Sequence, residues 1–311
     1  MKFAGLALAQ VLAALLLLAG CATPQVSALD VQWPADIPSQ ALLTQVPFFA
    51  QEDYECGPAA LAMALQSAGV AITPGALVDQ VFVPAKKGAL QVEMLAAARR
   101  QGVLAYPLEP RIEAIAREVH AGHPVIVFQN LSLPAYPVWH YAVVIGFDRS
   151  RNVLTLHTGT SAAAEMSLYA FERTWARGNY WAMVALRPPA LPATARPDAL
   201  ALSIAALERS HTGAALVAYN AGLLQWPDHR GLLFGSGNAA YAAGDLPQAQ
   251  RSYETLVKTH PDFADAWNNL AQLLAERKEW DAASEAIAKA IALGGPRLAS
   301  YQTLQTQIKN R

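Results

Sequence analysis

The last third of this 311-residue chain repeats itself, and that periodicity limits the possible folds more than any other feature. Pro227 and Pro261 lie 34 residues apart, as do Ala249 and Ala283. So do Gly244-Asp245-Leu246 and Lys278-Glu279-Trp280, each at an expected helix turn, and Ala215 lies another 34 before Ala249. A fixed period of this length describes a helix pair stacked on copies of itself, because one pair cannot bury its apolar face alone. Small residues recur where the helices would cross. Residues 198–311 are therefore expected to be all-α: nearly three repeats, with a concave groove for a protein partner.

The preceding segment has a different character. Residues 57–67, 90–100 and 111–120 have helical spacing, with Pro58 near a first helical position and Gly69 and Gly102 as stops. Short runs rich in β-branched and aromatic residues come later, at 124–128, 139–147, 152–157 and 180–186. Asp148-Arg-Ser-Arg-Asn152 reads as a hairpin turn. Helices first and an antiparallel sheet second predict an α+β domain over 42–187. Residues 188–197, with four prolines, read as a stiff linker to the repeats.

The N-terminus reads as an address. Met1-Lys2 is cationic, an apolar run follows to about Ala19, and Leu18-Ala19-Gly20-Cys21 closes it with small residues. This resembles a bacterial lipoprotein signal, which implies removal of residues 1–20 and a lipid on Cys21. Ala22, rather than Asp, implies by the same resemblance an outer-membrane destination facing the periplasm. Residues 21–41 are polar and contain proline, and are expected to be a tether. The compartment is oxidising. A lipidated Cys21 would leave Cys56 as the single free thiol, more useful for reactivity than for a crosslink.

Cys56 lies in Gln51-Glu-Asp-Tyr-Glu-Cys56-Gly57-Pro58-Ala-Ala, just before an expected helix. The positive end of that helix should favour thiolate. Gln51 could fold back so that its amide and the Cys56 N–H hold an oxyanion. His140, in Val138-Trp139-His140-Tyr141-Ala-Val-Val-Ile-Gly, is the candidate base. These two stretches, in this order, resemble the C39-type cysteine peptidases, papain-like domains best known as leader-cleaving modules of bacteriocin exporters. The 34-residue period resembles the tetratricopeptide repeat. The expected fold is thus an α+β papain-like peptidase domain followed by tetratricopeptide repeats, and the resemblance implies Cys56 as nucleophile, His140 as general base and Gln51 as oxyanion residue, acting on a peptide or protein.

The sequence departs from the family at the third catalytic position. The family usually carries an Asp 16–18 residues after the His; here the strand reads Val153-Leu-Thr-Leu-His157-Thr158-Gly159. His157 is taken as the orienting residue, with Thr158 and Asp148 as alternatives, although Asp148 also fits a hairpin tip. His120, His123, His211, His229 and His260 read as loop or surface residues. Gly294-Gly295 reads as a helix cap rather than a cleavage site. No phosphate-binding Gly-x4-Gly-Lys motif occurs, so neither ATP nor an exporter is expected. A net charge of −1 gives no basic footprint for nucleic acid. Two cysteines exclude a cysteine-rich zinc cluster; no metal or cofactor is expected. The competing reading is a C39-like scaffold without activity, binding proteins through its repeats.

Overall fold

The computed structural model describes residues 23–51, 56–86 and 88–310. The chain divides into two compact units. The first takes in residues up to 98, 105–185 and 192–194; the second takes in 99–104, 186–191 and 195 onward. The signal segment 1–20 and Cys21 lie outside the described residues.

The first unit is α+β. Its helices are α1 (Pro24–Val31), α2 (Cys56–Ser67), α3 (Gly75–Val81), α4 (Gln91–Arg100), α5 (Ile112–His120) and α6 (Leu168–Arg177). The strands are β1 (Gln40–Leu42), β2 (Phe82–Val83), β3 (Gly88–Ala89), β4 (Leu104–Pro107), β5 (Val125–Asn130), β6 (Trp139–Asp148), β7 (Val153–Thr158), β8 (Ser161–Ser167) and β9 (Ala182–Leu186). Among the described residues the main sheet has seven strands in the order β4-β9-β5-β6-β7-β8, with β1 pairing the far end of β6. β5 runs antiparallel to β6 from Val125 opposite Val144 to Asn130 opposite Trp139, while β1 pairs Gly146 to Asp148.

Helix α2 is apolar on all sides, and Gly57 through Leu65 are all buried. Such a helix has no solvent face and belongs inside the domain. It packs on β6 and β5, which fixes where its first residue, Cys56, must lie. Helix α6 packs on β5 with Leu168, Phe171 and Trp175 buried, capped at its start by the Ser167 hydroxyl.

The stretch expected to be a tether is, over its described part, integral to this unit. Pro24 occupies the first turn of α1, where a missing N–H costs nothing. The next two N–H groups, Gln25 and Val26, donate to the two carboxylate oxygens of buried Glu172 at 2.9 and 2.8 Å. The Gln25 side chain bridges the Pro110 carbonyl and the Ile112 N–H, and Val26 is fully buried. A carboxylate at a helix N-terminus satisfies orphan donors and meets the favourable end of the helix dipole.

From residue 195 onward the described residues of the second unit are all-α: α7 (Pro197–Glu208), α8 (Thr212–Gln225), α9 (Arg230–Ala242), α10 (Leu246–Thr259), α11 (Ala264–Glu276), α12 (Trp280–Leu293) and α13 (Leu298–Lys309). Ala249 and Ala283, the pair that revealed the period, are both fully buried in one core with Ala240, Ala271 and Ala290. Amide and hydroxyl side chains interlock between successive helices. Asn238 Oδ1 accepts from Tyr253 and from Asn269, and Asn220 Oδ1 accepts from Ser236 and Gln248.

Candidate active site

Cys56 and Gln51 both adjoin Tyr141 near one end of β6, and His140 is the residue before it. Cys56 opens α2, and the backbone of Tyr141, Gly57 and Cys56 itself lies close enough to its sulfur to favour the thiolate. Gly57 is required by close approach: a Cβ there would fall 2.4 Å from the Cβ of Ala89. The Tyr141 hydroxyl donates to the Ala89 carbonyl at 3.1 Å, tying β6 to the same spot.

Gln51 is buried and its amide has a defined orientation. Oε1 accepts from the Gly159 N–H at 3.1 Å, and Nε2 donates to the Tyr141 carbonyl at 3.3 Å. The Gln51 N–H also donates to the Gly159 carbonyl at 2.9 Å. One Nε2 hydrogen remains for an incoming group. Gly159 takes φ +54, a left-handed conformation that favours glycine, as the chain turns from β7 towards β8.

His140 Nε2 lies 2.8 Å from Thr158 Oγ1. Among the described residues the ring makes no other hydrogen bond, so Nδ1 is left free. Thr158 thus occupies the position given to His157 in the sequence reading. His157 is opposite Val143, two residues along from Tyr141, and therefore projects from the face opposite to that of His140. Its ring is fully used there. Nε2 donates to the Val46 carbonyl and Nδ1 accepts from the Ala163 N–H, each at 3.1 Å. His157 is a buried structural histidine. Asp148 sits eight residues from His140 at the other end of β6, accepting from Ser150 and from the Arg151 N–H in the hairpin turn. At about 3.3 Å per residue that is roughly 26 Å away.

The electrostatics reverse one expectation. Burial pushes the Cys56 thiol above its ordinary value, and the hydrogen bonds from Tyr141, Gly57 and its own backbone offset this only in part. Burial also lowers His140. Desolvation disfavours both charged forms, which pulls the pair towards thiol and neutral imidazole. Among the described residues no group of three or more His, Cys, Asp or Glu side chains is placed to hold a metal ion.

Two contributors were not foreseen from the sequence. Tyr141 joins the sulfur to the Gln51 amide, and Gly159 orients that amide. The His-Tyr and Thr-Gly pairs at adjacent strand ends carried the signal, but it becomes readable only once the pairing of β6 with β7 is known.

The fold is an α+β domain joined to helical repeats. Residues 43–183 match the model of the peptidase C39-like family, and residues 200–249 and 234–297 match that of the tetratricopeptide repeat. The chain therefore carries a C39-like peptidase domain followed by tetratricopeptide repeats. Solved structures to which the chain is similar include a C39-like peptidase from Bacillus anthracis, 20% identical, covering 48% of this chain and 98% of that one with a TM-score of 0.41. Another is the double-glycine-motif protease of an AMS/PCAT transporter in complex with its leader peptide, 20% identical, covering 47% and 96% with a TM-score of 0.35. No curated protein matches the chain. Among the described residues no helix is long and apolar enough to cross a membrane.

Proposed function

We propose that the chain is a cysteine peptidase that cleaves a peptide or protein through Cys56, His140 and Gln51, with Thr158 orienting His140. The observation that carries this reading is the convergence on Tyr141. Its backbone lies against the Cys56 sulfur, its carbonyl accepts from the Gln51 amide, and it directly follows His140. On attack, the Cys56 sulfur bonds to the scissile carbonyl carbon and His140 Nδ1 takes the thiol proton. The free Gln51 N–H and the Cys56 N–H receive the oxyanion. Collapse breaks the C–N bond, and the imidazolium gives its proton to the departing amine. Water, deprotonated by His140, then hydrolyses the thioester and restores the thiol.

The repeats are read as the surface for a protein substrate or partner. Cys21 is read as lipid-bearing, with the domain held at the periplasmic face of the outer membrane; the motif Leu18-Ala19-Gly20-Cys21 supports this. The clamp on Gln25 and Val26 then leaves almost no slack between lipid and folded domain.

Digestion of a peptide pool by wild type and by Cys56→Ala tests the activity. The variant should fold and lose at least about 10³-fold in rate. Gln51→Ala should lose about 10²–10³-fold. Cys21→Ser should accumulate unprocessed precursor. A second reading, an inactive C39-like scaffold, draws on Thr158 standing where a carboxylate would stabilise the imidazolium; it requires that wild type and Cys56→Ala behave alike.

A further inference from the structure

The segment joining β5 to β6 runs straight into His140 and is unlike the other loops of its unit. Residues 131–139 read Leu-Ser-Leu-Pro-Ala-Tyr-Pro-Val-Trp, without a charge. Leu131, Leu133, Tyr136, Val138 and Trp139 are 42–79% exposed. Scattered apolar residues on a surface need no explanation, but five within nine positions beside a candidate active site do.

The loop has a fixed base. Asn130, buried, accepts from the Ser132 and Val138 N–H groups at 3.0 and 2.9 Å, and its carbonyl accepts from Arg177 Nε at 3.1 Å. The Leu131 N–H donates to the Val138 carbonyl at 2.9 Å. These bonds shape the backbone, while the apolar tips stay outside the core. An aromatic row connects the loop to the nucleophile. Trp139 stacks on Phe128 at 5.1 Å with the planes 10° apart, and Phe128 meets Tyr141 at 4.7 Å. Trp139 and Tyr141 lie two residues apart on β6 and so share one of its faces.

We infer that loop 131–139 is the docking surface for large apolar side chains on the leaving-group side of a peptide substrate. The inference rests on the peptidase reading above and adds the class of substrate. The side follows from the chemistry. The imidazolium hands its proton to the departing amine, so the residues after the scissile bond pass over His140, and the loop ends at His140. The occupant is therefore a peptide with a residue such as Leu or Phe in the first two positions after the cut.

The test has two arms on the full chain. In the first, a proteome-derived peptide library is digested and the cut sites are read by mass spectrometry. Apolar residues should be preferred over Ser at those two positions by about 10- to 100-fold in kcat/KM. Trp139→Ala, and independently Val138→Ser, should bring that preference several-fold towards unity. Alkylation of Cys56 by iodoacetamide should not change in either variant, which a general structural defect would not allow. In the second arm, free-amine peptides beginning Leu-Phe or Ser-Ser are tested for protection of Cys56 against iodoacetamide. Leu-Phe should protect wild type but not Trp139→Ala, and Ser-Ser should protect neither. Cleavage without apolar preference or selective protection overturns the loop assignment and leaves the peptidase reading standing. Selective protection without cleavage of any peptide does the reverse. Neither cleavage nor protection overturns both.

Discussion

Thr158→Val keeps the shape of the side chain and removes the hydroxyl that His140 Nε2 meets at 2.8 Å. If Nδ1 accepts the thiol proton, the resting ring carries its hydrogen on Nε2 and donates it to Thr158 Oγ1. Such a bond contributes about 0.5–1.5 kcal/mol while the ring is neutral and about 1.5–3 kcal/mol once it is imidazolium. Only the difference, about 1–1.5 kcal/mol, bears on the barrier, because the ring is neutral in the free protein and charged at the transition state. At 1.36 kcal/mol per factor of ten, kcat/KM should fall about 5- to 13-fold. Thr158→Asp should act oppositely: a carboxylate beside the ring favours imidazolium, raises His140 and moves the pair towards thiolate and imidazolium. Cys56 alkylation at neutral pH should then quicken. His157→Ala is the control, since it removes bonds to Val46 and Ala163 and should cost stability without changing the alkylation rate. Kinetics on a cleaved peptide, with stopped alkylation assays from pH 5 to 10, read all three. Unchanged kcat/KM in Thr158→Val, or a His157→Ala variant that melts normally but alkylates slowly, would refute the assignment.

Three further outcomes follow from the same structure. Burial lowers His140, so the base stays unprotonated to below a free imidazole's ~6.5, and burial raises Cys56, so the thiol persists above a free cysteine's ~8.5. The kcat/KM profile should therefore be flat through neutrality with limbs displaced outward, whereas a bell narrower than those free values would contradict the neutral resting pair. Glu172→Ala should free the Gln25 and Val26 N–H groups and cost roughly 3–6 kcal/mol, judged from two bonds to a charged acceptor. Hydrogen exchange at those amides, slow in wild type, should become fast. Ala283→Trp places a large ring in a fully buried crossing and should lower stability by about 1–3 kcal/mol or more on thermal melting.

Legibility in the sequence tracked the distance over which each feature is determined. Local patterns were readable. The 34-residue period located the repeats, and the Gly-Pro start located α2. The orienting residue was not readable, because choosing between His157 and Thr158 needs the register of β7 on β6, and that register shifts at a bulge between Val144 and Gly146. The tether was misread for a similar reason. Residues 24–31 carry little amphipathic pattern, and the carboxylate that caps them comes from Glu172, 147 positions away from Gln25. Helix α6 is a plain omission: Ser167 as cap, Leu168, Phe171 and Trp175 on one face, and Gly178 as stop were all present. Burial of Cys56, which opposes the helix dipole, was not visible to a helix-terminus argument.

The central claim, that Cys56 is a nucleophile served by His140, is tested most directly by intact-mass measurement of the full chain after exposure to a peptidyl vinyl sulfone. Wild type should gain one adduct, mapped to Cys56. Cys56→Ala should gain none, His140→Ala should label at least about tenfold more slowly, and His157→Ala should label like wild type. No adduct on wild type, or equal labelling of wild type and His140→Ala, would contradict it.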